Sequence, residues 1–228
     1  MHINFLLFTG LTQLDLTGPY EVLIRAPGAT VDFVGESMNP VVSDRGLALL
    51  PTVTLTTARR CDLLVVPGGP GTDNAILDTR WVEFTRHQAL TAKYVFGICT
   101  GSLLLGAAGL IHGKRSAGHW QARDLLTQFG AIVSNERMCI DGNIFSAGGV
   151  TSGIDMAIKV VALIYGDETA KQIQLQIEYD PQPPFSGGTP YTSDEGTVAS
   201  CLAASNARRL IREKAVQTAA LNLQAYKG

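Results

Sequence analysis

Residues 94–108 read Tyr94-Val95-Phe96-Gly97-Ile98-Cys99-Thr100-Gly101-Ser102-Leu103-Leu104-Leu105-Gly106-Ala107-Ala108. Tyr94–Ile98 is an apolar run of strand length, and Thr100 to Ala108 has the leucines and small residues of a buried helix. Between them Gly97-Ile98-Cys99-Thr100-Gly101 is G-x-C-x-G, the cysteine form of the nucleophile-elbow pattern, at the strand-to-helix junction the pattern requires. A sharp turn there lifts the side chain above the sheet, and the flanking glycines give the turn room. The helix start offers unpaired N–H groups and a positive dipole end, which favour a thiolate. The plain alternative is a buried structural cysteine, the common fate of free thiols. The paired glycines and the junction weigh against that at Cys99. Nothing comparable surrounds Cys61, Cys139 or Cys201, which read as structural.

Outward from this stretch, short apolar runs alternate with longer segments of helical period. That is the pattern of a mostly parallel sheet covered by helices on both faces, an α/β fold of three layers. Ile3–Phe8, Val31–Val34 and Asp62–Val66 read as strands, and the last is apolar enough for a central strand buried on both sides. Helices are predicted from Thr17-Gly18-Pro19 through Ile24, from Asn74 towards Ala89, and over His119–Phe129. Met138–Ile140 and Ile144–Ser146 flank Asp141-Gly142-Asn143, a hairpin turn. Thr151 and Ser152 start a helix whose apolar side runs from Ile154 to Tyr165, with Ser152 and Asp155 as a capping box. Residues 180–193 form a Pro/Gly-rich arm, followed by a C-terminal helix over 194–223. Too few residues follow the arm for an independent core, so one domain over 1–228 is expected. Arg208, Arg209, Arg212 and Lys214 on the last helix read as a solvated face.

The chain has 228 residues, 46% hydrophobic and 17% charged, which excludes a disordered chain. Eighteen basic against 20 acidic residues give a net charge of −2, against the basic excess of a nucleic-acid binder. Four scattered cysteines with no C-x-x-C pair suit a reduced, cytoplasmic protein. The opening apolar run is only strand-length and lacks a basic flank, so no signal peptide is expected. The stretch Leu103–Ile111 is too short to cross a bilayer.

Two further segments bear on chemistry. Pro67-Gly68-Gly69-Pro70-Gly71 follows a central strand, at the end of an open α/β sheet where ligands gather. The amides of Gly68 and Gly69, with that of Thr100, are candidates to hold a developing negative charge; a tight strand-to-helix turn explains the same glycines. Asp15, between Leu14 and Leu16 just after the first strand, reads either as a loop or cap residue or as a desolvated carboxyl. Facing Cys99, it would serve as general acid and then general base. A Cys-His mechanism needs a histidine placed to take the thiol proton, and none of His2, His87, His112 and His119 stands in a supporting motif. His119, with Trp120, reads either as lying near the active end or, the commoner case, as a packed or capping residue. No His/Cys/Asp cluster has metal-ligand spacing, so no metal is expected.

At these residues the chain resembles the ThiJ/PfpI superfamily along almost its whole length. The likeness lies in FLLF (5–8), QLDLTGP (13–19), VVPGG (65–69), CTGSLLLGAAGL (99–110), GKRSAGHW (113–120), GGVTSGIDMA (148–157), and QLQIEY (174–179) followed by PQPPF (181–185). CTGS and PGG are shared widely across the superfamily. LDLTGP with the His119-Trp120 pair and the Pro-rich arm points to its isocyanide-hydrating branch. The resemblance implies a flavodoxin-like sandwich, a homodimer, and hydration of an isocyanide to an N-substituted formamide without a cofactor. It implies Cys99 as the nucleophile and Asp15 as the catalytic carboxylate, where many members carry a glutamate beside the cysteine. It also places residues 148–155 near the active site. Three other readings stay open: a glyoxalase or deglycase using Cys99, a redox-responsive stress protein, and the sensor half of an AraC-type regulator. The regulator needs a helix-turn-helix region of about 100 residues beyond the arm, where only one helix is expected.

Overall fold

The computed structural model describes residues 1–227. Its centre is a seven-stranded sheet. In chain order the elements are β1 (His2–Leu6), α1 (Gln13–Leu23), β2 (Thr30–Gly35), the short pair β3 (Val41–Val42) and β4 (Ala48–Leu49), and β5 (Val53–Thr54). Then come β6 (Leu63–Val66), α2 (Thr72–Ala75), α3 (Thr79–Ala89), β7 (Tyr94–Ile98), α4 (Gly101–Ala107) and β8 (Arg115–Ser116). A 3₁₀ segment (Arg123–Phe129), β9 (Ile132–Val133), β10 (Met138–Asp141), β11 (Ile144–Ala147), α5 (Ser152–Tyr165), α6 (Asp167–Gln176) and α7 (Glu195–Lys227) complete the described chain.

The strand order is β10-β11-β7-β6-β1-β2-β5. All neighbours run parallel except the hairpin pair β10 and β11. Leu63, Leu64, Val65 and Val66 are fully buried, as a strand covered on both faces demands. On one face α1 packs against α5, and α5 against α6. On the other, α3 and α4 pack together, and α7 lies over α2, α4 and the 3₁₀ segment. Ala215, Val216, Ala219, Ala220 and Leu223 form the buried stripe of α7, at helical spacing. After β5, at the edge beyond β2, the chain crosses to the other side of β1 to form β6. The crevice at such a switch point, beyond the C-terminal strand ends, is where α/β sheets place ligands.

Local expectations fail where a distant contact sets the local geometry. Helix α1 starts at Gln13, ahead of the predicted Thr17, and contains Pro19. Its start is set from outside: Thr12 N–H donates to Gly68 O at 2.9 Å, and Asp15 N–H to Thr12 O at 3.1 Å. The helix predicted from Asn74 is two helices, because Asp78 caps the second by accepting from Arg80 N–H at 2.9 Å. The segment before Phe129 is 3₁₀ and ends at Gly130, at φ 77°. No capping box opens α5. Ser152 Oγ donates to Gly149 O, and Asp155 accepts instead from Arg137 Nε and Tyr179 OH.

The arginine face of α7 also needs correction. Lys214 is exposed as expected, but Arg212 is buried with Nε 2.6 Å from Asp73 Oδ1, and Arg208 lies 3.6 Å from Asp73 Oδ2. Arg209 pairs with Asp124 and with Glu213. Carboxylates from elements outside α7 account for the burial, and a charge pattern read along one helix does not reveal them.

Candidate active site

Three strand ends converge. Cys99 follows β7, the loop from Pro67 to Gly71 follows β6, and Asp15 lies in the first turn of the helix after β1. Cys99 sits at φ 58°, one of two non-glycine residues with positive φ among the described residues. Such a conformation is costly for an L-residue and survives only where surroundings enforce it. Here Cys99 N–H donates to Ala147 O at 3.0 Å, and Cys99 O accepts from His119 N–H at 3.1 Å. A Cβ on Gly101 would lie 2.1 Å from Val66 O, so only glycine lets α4 start this close to β6. The elbow read from the sequence is therefore present in its geometry.

Asp15 is fully buried and faces Cys99. Its Oδ2 accepts from Gly68 N–H at 2.9 Å. Its Oδ1 is buried with no N–H or O–H partner among the described residues, and the carboxyl interacts with the Cys99 sulfur. Burial pushes the Asp15 carboxyl up to about 7, against the opposing pull of Gly68 N–H and Cys99. Burial and the Asp15 charge push the Cys99 thiol well above its ordinary range. Thr100 N–H and the Arg212 charge favour the thiolate but do not prevail. The sequence expectation of a helix-stabilised thiolate is thus reversed. Helix α4 has one short run of seven residues to offer, and desolvation outweighs its dipole.

The structure brings Gly68, Gly69 and Thr100 to the same place but gives the glycines another task. Gly68 N–H is committed to Asp15, and Gly69 N–H to Thr100 Oγ1 at 2.9 Å. Thr100 Oγ1 also lies 3.2 Å from Gly69 O and 3.1 Å from Thr72 Oγ1. Neither glycine amide is free to hold an oxyanion, so that expectation is corrected: the loop positions the carboxyl. A Cβ on Gly68 would stand 2.5 Å from Thr100 N and 3.0 Å from Asp15 Oδ2, which explains the glycine by close approach.

His119 touches the elbow through its backbone. Burial, with the Arg212 and Arg123 charges, lowers its imidazole to about 4, so it is neutral and a poor proton acceptor at neutral pH. The buried Arg212–Asp73 pair is the feature that reading along the chain missed. Its only sequence signal is an arginine on the same helix side as Ala215, Val216 and Ala219. Among the described residues no group of three or more His, Cys, Asp or Glu could hold a metal ion, and no helix is long and apolar enough to cross a membrane.

This geometry has relatives. The chain is 46% identical over 198 residues to a Pseudomonas putida protein named isonitrile hydratase, covering 87% of each. It is 25% identical over 163 residues to a glutathione-independent glyoxalase of Caenorhabditis elegans, covering 71% of this chain and 86% of that protein. The crystal structure of a ThiJ/PfpI family protein from Pseudomonas syringae superposes with a TM-score of 0.92 at 36% identity, covering 94% of this chain and 90% of the other. The model of the DJ-1/PfpI family matches residues 1–163, a span that takes in all three strand ends of the site, and the chain belongs to that family.

Proposed function

We propose that this protein hydrates isocyanides to N-substituted formamides, with Cys99 as nucleophile and Asp15 as the only proton shuttle. The observation that carries the reading is the lone carboxyl facing the thiol, pushed up to about 7, with both neighbouring glycine amides already engaged. Acyl transfer needs donors for an oxyanion and a base such as histidine. Addition to an isocyanide needs no oxyanion donors, because the negative charge develops on the terminal carbon and a proton quenches it there, and the Asp15 carboxylate can itself serve as the base.

Asp15 as carboxylate takes the Cys99 proton while sulfur bonds to the isocyanide carbon. The protonated carboxyl then delivers that proton to the same carbon, leaving a thioimidate, R–N=CH–S–Cys99. Asp15, again ionised, removes a proton from water as its oxygen bonds to the thioimidate carbon. That proton passes to nitrogen. Collapse of the tetrahedral adduct expels the sulfur, and the hydroxyl proton returns to it as the N-substituted formamide leaves. The balance is one isocyanide plus one water, with a group whose pKa lies near working pH serving as acid and base in turn. The likeness to the isonitrile hydratase, at 46% identity over most of both chains, supports the substrate.

The same reading takes the chain as one domain over 1–228, acting in the cytoplasm as a homodimer. Four free cysteines suit a reducing compartment. Large apolar side chains that one chain leaves exposed, Leu175 and Phe185 among them, suit a second copy. The test is incubation with p-nitrophenyl isocyanide and, in parallel, methylglyoxal. Formamide from the first and no product from the second is expected. Turnover of methylglyoxal alone would replace this reading with the glyoxalase one.

A further inference from the structure

Beside the elbow lies a cavity of about 230 Å³. Two of its walls continue from the backbone that holds Cys99. Gly118–Trp120 follows from the His119 N–H to Cys99 O bond, and Gly148–Thr151 follows Ala147, which accepts from Cys99 N–H. A third wall is the Pro/Gly-rich arm, through residues 188–191. Neither Cys99 nor Asp15 lines the cavity; it adjoins the elbow through the backbone of two of its walls, where the part of a substrate remote from the reacting carbon would extend.

Its charges do not cancel. Glu136 is answered by Arg115 at 2.7 Å. Arg137 is answered by Asp155 and also donates to Thr151 Oγ1 at 3.1 Å. Asp124, next to Arg123 in sequence, is taken by Arg209. Arg123 remains. Its Nη1 donates to Asn135 O at 3.3 Å and its Nη2 to Tyr191 OH at 2.6 Å, while the guanidinium stands 5.6 Å from the Tyr191 ring centre. It has no carboxylate partner among the described residues. His119 adds a donor: its Nδ1 accepts from Gln121 N–H at 3.3 Å, which puts the proton of the neutral ring on Nε2. A guanidinium held by neutral oxygens in a partly enclosed cavity is arranged for a carboxylate, its preferred planar partner.

We propose that this cavity binds the N-substituent of the substrate and selects isocyanides whose substituent bears a carboxylate, which Arg123 receives. The inference rests on the hydration reading and narrows it to a substrate class. Tyr191, from the arm, holds the guanidinium in place by its hydroxyl and ring face, so the arm is part of the specificity pocket.

The experiment compares 4-isocyanobenzoate with its neutral methyl ester on the wild type, Arg123→Gln and Arg123→Lys, following formamide. The wild type is expected to favour the carboxylate in kcat/KM. That preference falls about tenfold in Arg123→Gln, the size of one charge-assisted hydrogen bond, and is partly restored in Arg123→Lys. Equal preferences in wild type and Arg123→Gln, with both folded by circular dichroism, would overturn the proposal. Calorimetric binding of 4-formamidobenzoate gives a readout independent of turnover. Binding about tenfold weaker in Arg123→Gln supports the site, and equal binding overturns it. If neither isocyanide is hydrated while the benzoate still binds through Arg123, the hydration reading fails and the carboxylate site stands.

Discussion

Asp15 holds the Gly68 amide with one carboxyl oxygen, at 2.9 Å, and keeps the other buried and without an N–H or O–H partner. A carboxyl pinned by one oxygen keeps its orientation whether or not it carries a proton, because the bonded oxygen accepts in both states. In the proposed mechanism the second oxygen is the one that exchanges a proton with the Cys99 sulfur. The glycine loop thus positions the Asp15 carboxyl, where the sequence suggested an anion hole.

Replacing Cys99, the proposed nucleophile, separates chemistry from folding. Cys99→Ala is expected to lower isocyanide turnover by at least about 10³-fold. Alanine takes on the same positive φ as cysteine, so the stability change stays within about 1 kcal/mol. Turnover assays and thermal melts check the two parts, and near-native turnover would remove the nucleophile assignment.

Asp15→Asn tests the shuttle. The amide oxygen still accepts from Gly68 N–H, but the side chain no longer moves a proton, and a loss of about 10²–10⁴-fold is expected. In the wild type kcat/KM should climb with pH as Asp15 ionises, half-way near its value of about 7. The variant's residual rate should lack that limb. An identical limb in both proteins would assign it to another group.

The same carboxyl makes a stability prediction of definite sign. Asp15 is raised from 3.8 to about 7 by burial. Below the unfolded value both states hold the proton, and its contribution to stability is fully present. Between there and about 7 only the folded chain retains it, so stability falls as pH rises, then levels off. Urea unfolding should find Asp15→Asn more stable than wild type at pH 8, by at most about 4 kcal/mol, with the difference closing towards pH 4. A difference that does not change with pH would contradict the buried neutral acid.

Arg212 ties α7 to the far side of the site. Arg212→Met leaves Asp73, only 3% exposed, without its close partner, at a cost of about 3–5 kcal/mol. The double variant Asp73→Asn/Arg212→Met should recover most of it, because no buried charge is then stranded. Thermal melts of the three proteins measure this, and additive losses would show that the two residues do not act as a pair.

Much of this protein is readable along the chain because its signals are local. Leu63–Val66 declares a doubly covered strand by being wholly apolar, and G-x-C-x-G declares the elbow because a tight strand-to-helix turn needs its glycines within a few residues. The leucines around Asp15 made a desolvated carboxyl one of its two readings, and the structure buries it, whereas its helix start was not legible, since that is set by Gly68 O.

What only the tertiary structure decided lies between residues far apart in sequence. Asp15 meets Gly68 across 53 positions, Thr100 meets Gly69 across 31, and Arg212 meets Asp73 across 139. The first two contacts make the glycine amides positioning groups, the third buries an arginine whose charge run reads as solvated, and burial, with Asp15 beside it, raises the thiol. The reason is physical. A segment's residue pattern sets which side it hides, whereas desolvation and hydrogen bonding depend on what is packed there, and that is settled only when the sheet brings its strand ends together.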